Sequence, residues 1–399
     1  MPIKIYKKLS ILLAVLFVIS CITQTHSSNF LASAKNNKKT DDSVNNDQEP
    51  SVSAESSILI ESSTKTILFK KNENEERPVA STTKIMTALI ALERAEKKDE
   101  NVVITDKMLP IEGSSMNLQI NDILPLSSLA KGMLTVSGND AAHSAAIYLS
   151  GSISDFGDLM NKKAKEIGMN NTFFVTPSGL DKKNNHSTAY DMGLLGIYAM
   201  NNKSFYDIVS KSISDVPFVF PKHVRKMKNK NRLLKMYNGC VGIKTGFTTL
   251  AGRCLVSCAE RNGIRLVAVT LKAHSDWNDH IKLYDYGFSR VEHENFDKIP
   301  PMSIPIVGSK TDKIIAVQQN SAHIVVEKGT SKSIKTNVIV PRFVYAPIKK
   351  GQIIGSVEYK IDDKVVSKQD LVSSDNADFL KANRNILHIL FGWIFSKFN

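Results

Sequence analysis

The spacing of apolar and polar residues changes several times along the chain. Behind a short basic stretch holding Lys4, Lys7 and Lys8, residues Leu9 to Ile19 are apolar apart from Ser10. That is the form of an export signal, and it is too short for a confident membrane span, which needs about 20 residues. Residues 35–50 carry almost no apolar side chain and read as a polar linker. Ser57–Glu61 and Thr66–Phe69 are short strands around the polar turn Ser62–Lys65, a hairpin. The apolar spacing then turns helical at Ile85, Ala88, Leu89 and Leu92, with Ser81 at the entry to that helix.

A serine-capped helix begins at Leu126-Ser127-Ser128-Leu129, breaks at Ser137-Gly138-Asn139 and resumes at Asp140. Residues 152–168 make an amphipathic helix, the loop Thr176–Asp181 is rich in turn residues, and another helix runs through Leu194 and Leu195. From Cys240 the chain reads as strands. Val241–Phe247, Arg253–Glu260 and Ile264–Lys272 are separated by Leu250-Ala251-Gly252 and by Asn262-Gly263, the strongest short hairpin signal, so they form an antiparallel meander. His280–Phe288 closes this region as a helix.

Beyond Pro300-Pro301 the short strands Lys313–Val317, His323–Glu327, Lys335–Val340 and Gln352–Tyr359 predict a small all-β domain. Ser373-Ser374-Asp375 then heads an amphipathic helix carrying Ile386, Leu387, Leu390, Trp393, Ile394 and Phe398, with Trp393 and Lys397 suited to the headgroup level of a membrane. The pattern as a whole predicts an α+β protein. Its parts are an export signal region at 1–34, a linker at 35–50, a main domain at 51–298, a β-domain at 299–372 and an interfacial helix at 373–399.

Composition narrows the setting. A chain of 399 residues is long enough for two domains, and its formal net charge of +13 favours polyanionic partners. The export signal and the scattered lysines turn that preference away from nucleic acid and toward anionic lipid or cell-wall polymer. Two processing points fit: cleavage after Ala32-Ser33-Ala34, or lipidation of Cys21 within Val18-Ile19-Ser20-Cys21. If Cys21 leaves, Cys240, Cys254 and Cys258 remain, an odd number that argues against a disulfide framework. Cys254 and Cys258 stand four apart on one strand, roughly 13 Å, too far to bridge. Cys240 opposite Cys258 would allow one bridge, and buried apolar thiols are the other reading. No Cys/His spacing suggests zinc, and the lone His186 reads as a loop residue.

The chemistry starts with Ser81 and Lys84. Three apart on a helix, they share one face. A protonated lysine is out of place at a helix N-terminus, whereas a neutral one is a base beside a hydroxyl. Ser137-Gly138-Asn139 offers a hydroxyl and an amide from a turn between two buried helices. Lys244-Thr245-Gly246 lies on the first strand of the meander, where the glycine leaves room for an extended peptide alongside.

Together, Ser81-Thr82-Thr83-Lys84, Ser137-Gly138-Asn139 and Lys244-Thr245-Gly246, in the surroundings ASTTKIMT, TVSGNDAA, TPSGLD, STAYDM and KTGFTTLAGRCLV, resemble the low-molecular-mass penicillin-binding proteins, specifically the serine-type D-alanyl-D-alanine carboxypeptidases. The likeness is strong over residues 51–290 and less specific beyond. It implies a transpeptidase/β-lactamase-like domain, a helical cluster beside an antiparallel sheet with the site at their junction. It implies Ser81 as nucleophile, Lys84 as general base, Ser137 as proton relay and Asn139 as a holder of the peptide. Lys244, Thr245 and Gly246 would line the place of the terminal carboxylate, and the backbone N–H of Phe247 would join that of Ser81 as oxyanion donor. Lys84 must then be neutral while Lys244 stays charged.

The partners implied are peptidoglycan stem peptides, β-lactams as inhibitors and an anionic membrane surface, at the outer face of a bacterial cytoplasmic membrane, with no metal, cofactor or nucleic acid. Two rivals keep the same residues: a β-lactamase or D,D-endopeptidase, and a non-catalytic cell-wall-binding protein. Glycine rather than aspartate at position 138 favours the carboxypeptidase over a class A β-lactamase.

Overall fold

A strand with apolar side chains on both faces needs cover on both, and the central strands of this molecule are of that kind. A computed structural model of the chain describes residues 48–109, 112–329, 333–361 and 363–380. The export signal, Cys21, the cleavage point after Ala34, most of the linker and the apolar tail from Lys381 lie outside them.

The longer strands of the main domain are β1 (Ser56–Glu61), β2 (Ile67–Lys71), β3 (Ile213–Phe218), β4 (His223–Lys228), β5 (Cys240–Thr248), β6 (Gly252–Arg261) and β7 (Ile264–Ala273), and the short segments Asn101–Val103 and Ile123–Pro125 pair with each other. Five of them form an antiparallel sheet in the order β2-β1-β7-β6-β5, and β3 pairs with β4 as a separate hairpin. Side chains alternate across the sheet. Ile58, Ile60, Val256, Val267 and Val269 enter one core, and Leu59, Leu255, Leu266 and Ala268 enter the other.

Helices α1 (Lys84–Ala95), α2 (Leu126–Thr135), α3 (Asn139–Ser150), α4 (Ile153–Ile167) and α5 (Ala189–Met200) build the first core, and α6 (Asp276–Arg290) covers the opposite face. Every residue of α1 from Lys84 to Leu92 is buried, so this helix is the axis of the helical cluster rather than its rim.

Several expectations shift in detail. The entry to α1 is a separate 3-10 turn, Ala80–Thr83, with the α-helix beginning at Lys84. Helix α2 has no serine cap. Its first residues follow Pro125, and the distant Asp99 carboxylate accepts from the Ser127 amide at 2.9 Å and its hydroxyl at 2.6 Å. Cys258 stands opposite Gly242 and Cys240 opposite Ala259, so the register separates the two thiols, and Cys240, Cys254 and Cys258 are all free.

The β-domain comprises β8 (Val291–Phe296), β9 (Met302–Val307), β10 (Lys313–Gln318), β11 (Ala322–Glu327), β12 (Lys335–Ile339), β13 (Val344–Tyr345), β14 (Ile353–Ile361) and β15 (Lys364–Ser373). Six of them are ordered β12-β14-β15-β10-β9-β13, and β8 pairs with β11. Strand β8 was hidden in sequence by Glu292, His293 and Glu294. It precedes the expected boundary at residue 299 and ties the domains together, with Val291 and Val325 in the core under α6.

The expected helix does not begin at Ser373. That residue ends β15 opposite Ala316, and Ala377 and Phe379 bridge Ile348 and Ser309. Buried Leu371, Val372 and Ala377 hold the chain down as far as Leu380. Among the described residues no helix is long and apolar enough to cross a membrane.

Candidate active site

Three elements converge where the helical cluster meets the edge of the sheet. From the 3-10 turn, Ser81 projects with its side chain partly exposed, while Lys84 one turn on is fully buried. Lys84 Nζ lies 2.9 Å from Ser81 Oγ and donates to the Ser178 carbonyl at 2.6 Å. Burial first, then the charges of Lys244 and Lys230, push its pKa well below that of an ordinary lysine, with Asp140 pulling the other way. A neutral amine can give one N–H to the Ser178 carbonyl and turn its lone pair toward the Ser81 hydroxyl. The carbonyl comes so close because Gly179 has no side chain: a Cβ there, at φ +75°, would stand 1.9 Å from the Ala80 carbonyl oxygen.

The turn between α2 and α3 supplies the second part. Ser137 is buried with φ +64° and Asn139 is buried beside it. A Cβ on Gly138 would stand 2.8 Å from Asp140 Oδ1 and 3.2 Å from the Met116 amide nitrogen. The Asp140 carboxylate fills that space, accepting the Met116 and Leu118 amides at 2.9 and 3.0 Å and the Ser115 hydroxyl. The glycine of this triplet is therefore dictated by Asp140. Asn139 donates its backbone N–H to the Ser114 carbonyl at 2.7 Å and its Nδ2 to the Glu112 carbonyl, while its buried Oδ1 has no partner among the described residues. A buried acceptor left open is able to take an incoming N–H.

Strand β5 is the third part, an edge strand of the sheet. Lys244 is buried and donates to the carbonyl of its neighbour Thr245 at 2.8 Å. Burial and the charge of Lys230 lower its pKa to about 7. Burial thus works against the charged form of Lys244, and a carboxylate beside it would favour that form. Gly246 corrects an expectation. A Cβ there would stand 3.0 Å from the amide nitrogens of both Ser81 and Thr82, so the backbone that approaches it is the turn that carries Ser81. Thr245 is half-buried, and the Phe247 ring is 67% exposed at the open edge.

The structure brings Lys84 onto the Ser81 hydroxyl, lays the Gly246 backbone of β5 against the turn that carries Ser81, and sets Lys244 and Asp140 close enough for their charges to act on Lys84; it also adds residues that sequence reasoning missed. Ser178 and Gly179 sit in a stretch noted only for its likeness, with no role attached. Asp140 passed as an ordinary first-turn helix residue. Lys230 was lost among Arg225, Lys226, Lys228 and Arg232. Its Nζ donates to Ser114 Oγ at 2.8 Å.

A further hydroxyl–base pair lies on the opposite face of the sheet. Ser257 Oγ is 2.6 Å from His280 Nδ1, and Tyr284 and Thr270 complete a network that is wholly buried.

Known proteins resemble the chain in both domains. The family described as D-alanyl-D-alanine carboxypeptidase matches residues 43–275, and the one described as penicillin-binding protein 5, C-terminal domain, matches residues 297–378. D-alanyl-D-alanine carboxypeptidase DacF of Bacillus subtilis is 31% identical over 347 residues, 82% of this chain and 88% of that protein. The Escherichia coli DacC protein is 32% identical over 359 residues, 82% of this chain and 85% of its own length. Among solved structures, penicillin-binding protein 5 of Haemophilus influenzae aligns with a TM-score of 0.65 at 27% identity over 83% of this chain and 99% of its own. The Streptococcus pneumoniae protein PBP3 shares the fold, with a TM-score of 0.72 at 22% identity over 82% of this chain and 100% of that one.

Proposed function

The chain belongs to the D-alanyl-D-alanine carboxypeptidase family of serine peptidases, and from that premise we propose that Ser81, Lys84 and Ser137 carry out the reaction while Asn139 and β5 hold the substrate. It is a low-molecular-mass penicillin-binding protein that removes the terminal D-alanine of peptidoglycan pentapeptide stems through an acyl-enzyme, and penicillin acylates it. The observation that carries the residue assignment is the pairing of a buried lysine with a partly exposed hydroxyl 2.9 Å away.

The stem peptide adds to the free edge of β5 as an extra strand. Its amide N–H meets the open Oδ1 of Asn139, and its terminal carboxylate lies near Lys244 and Thr245, which makes the enzyme an exopeptidase. Ser81 Oγ attacks the carbonyl carbon of the penultimate D-alanine, and its proton passes to Lys84 Nζ. The oxyanion is stabilised by the backbone N–H groups of Ser81 and Phe247, donors of a kind that contribute a few kcal/mol. Ser137 relays the proton to the departing amine, the C–N bond breaks, and water later cleaves the Ser81 ester.

Release of D-alanine from a pentapeptide by the intact protein but not by Ser81→Ala tests the nucleophile, and equal release by both refutes it. A labelled penicillin tests the β-lactamase rival. The carboxypeptidase reading expects a long-lived adduct on Ser81, and rapid turnover without accumulation sinks it.

The membrane reading rests on the far end of the β-domain. Phe343, Tyr345, Val307, Phe379 and Leu380 are all exposed there, grouped by the pairing of Val307 with Tyr345, the bridge from Phe379 to Ser309 and the bond from the Leu380 amide to the Gly308 carbonyl. The apolar sequence of the last residues follows directly. An anionic membrane surface at the outer face of the cell is the partner this composition suits. Ending the chain at Leu380 should free the protein from membranes if the last residues are the main tether; retention that persists in Cys21→Ala would place the tether on the exposed patch, and retention lost with Cys21 would place it on a lipid there.

A further inference from the structure

A cavity of about 450 Å³ lies beside the chain that leads into the turn carrying Ser81. One wall is Glu76, Arg77 and Pro78, another is the loop from Asp181 to His186, and the third is Leu250, just beyond β5. The loop is tied down along its length. Arg77 and Ser187 exchange backbone hydrogen bonds at 2.8 and 3.0 Å, and Phe173 and His186 exchange two at 3.0 Å. Buried Asn185 accepts the Val175 amide at 2.9 Å. At the other end the Thr248 hydroxyl of β5 donates to Asp181 Oδ1 at 2.9 Å and accepts the Ala251 amide at 3.0 Å. Asp181 thus joins the loop to the end of the edge strand, three residues after the Ser178 carbonyl that meets Lys84.

The charges around the cavity divide into those already matched and those left open. Arg77 forms ion pairs with Glu55 and Glu75 at 2.5 and 2.7 Å, and Glu76 lies 3.6 Å from His186. Among the described residues Asp181 has no cationic partner and its Oδ2 no hydrogen bond, while Lys182 and Lys183 are exposed without a carboxylate partner. Both signs are therefore left open on one short stretch.

We propose that this cavity is the subsite for the side chain of the residue preceding the two D-alanines, and that it fits a diamino dicarboxylic acid, whose side chain ends in an ammonium and a carboxylate. On the reading of β5 given above, on which this assignment rests, the terminal carboxylate lies near Lys244 and Thr245 and the reacting carbonyl at the Phe247 amide. The substrate then runs antiparallel to β5, and its preceding residue falls past Phe247, toward Thr248 and Leu250. Leu250 is 63% exposed and offers an apolar wall to the methylenes. Asp181 receives the ammonium, and Lys182 and Lys183 receive the carboxylate. A side chain with a single charge leaves one of these signs unmet.

The test compares D-alanine release by the full chain from two Nα-acetyl-X-D-Ala-D-Ala peptides. In one, X is 2,6-diaminopimelic acid with its distal groups free; in the other, X is Nε-acetyl-lysine, of similar reach and uncharged. The ratio of their kcat/KM values should be about three to ten in favour of the first, as expected for ion pairs at a partly open site. It should fall toward one in Asp181→Asn, which keeps an acceptor for Thr248 but not the charge. The double variant Lys182→Gln with Lys183→Gln should lower it as well. A ratio near one in the wild type would overturn the subsite alone, since the D-alanine pair is still being cleaved, and so would a ratio that neither variant changes. Release from neither peptide would overturn the carboxypeptidase reading and the subsite with it.

Discussion

Ser81 with Lys84 and Ser257 with His280 are both hydroxyl–base pairs at hydrogen-bond distance, 2.9 and 2.6 Å. By side-chain chemistry alone the histidine pair should be the better catalyst, because histidine titrates near neutral pH and lysine does not. Burial reverses the ranking. It drives the Lys84 amine well down from its usual range, toward the neutral form that can take a proton. It drives His280 down as well, from 6.5 to about 3, which leaves too weak a base. The remaining difference is access. Ser81 is partly exposed beside the edge strand β5, whereas Ser257 is fully buried with Tyr284 beside it. A nucleophile is marked less by its distance to a base than by which side of the pair is left open.

The largest effect should separate the two serines. Ser81→Ala should lower D-alanine release by about 10⁴-fold or more, since nucleophile and base act as a unit. Ser257→Ala should leave the rate within about threefold while costing about 1–3 kcal/mol of stability, because His280 and Tyr284 lose a partner inside the core. A rate assay and a urea melt on the two variants check this, and a large rate loss in Ser257→Ala would erase the distinction.

Next in size is the base. Lys84→Arg keeps a cation but not a titratable one, and it should slow acylation by about 10³-fold, nearly as much as loss of the serine. Labelled-penicillin kinetics read this directly. A near-normal rate would show that the proton leaves Ser81 by another route.

Lys244 sharpens the contrast through stability. Its native pKa of about 7 lies below the unfolded 10.5, so its contribution to stability is full above 10.5 and is lost as pH falls toward 7. The buried lysine thus costs the fold up to a few kcal/mol at neutral pH, a cost that the proposed recognition of a carboxylate would explain. Lys244→Met should raise KM for the pentapeptide by about 10- to 100-fold and at the same time raise the melting temperature at pH 7. A lowered melting temperature would mean that the bond to the Thr245 carbonyl outweighs the burial of the amine.

Much of this was legible in sequence where residue type and spacing coincide. The three triplets stood out because each lies on or beside an element with a clear period: the 3-10 entry to α1, the turn between α2 and α3, and β5. The meander was announced by Asn262-Gly263 and by alternation that places Val256 and Leu255 in different cores. What escaped depends on distant contacts. Ser178 acts through its carbonyl, which carries no residue signature. Asp140 matters because a loop 24 residues earlier in the chain closes on it. Lys230 lies in a run of bases where nothing local distinguishes one from the next. Gly246 was visible, but the backbone it accommodates belongs to Ser81 and Thr82, and only the folded chain brings them there.

The smallest expected effect belongs to His280, and it tests whether the buried pair is structural. Its ring bonds to Ser257 on one nitrogen and to Thr270 on the other at 2.9 Å, and its complete burial favours the neutral form in the native state. Its native pKa of about 3 lies below the unfolded 6.5. Above 6.5 both states are neutral and the contribution to stability is full. Between 6.5 and about 3 the unfolded chain binds a proton that the native chain refuses, and stability falls by up to about 1.4 kcal/mol per pH unit. Carboxylates titrate in the same window, so the useful quantity is a difference. The pH slope of unfolding free energy for His280→Gln should be shallower than that of the wild type between about pH 4 and 6, with D-alanine release at pH 7 unchanged within about twofold. Parallel slopes would place the imidazole in contact with water, and a lost rate would make Ser257–His280 part of the chemistry after all.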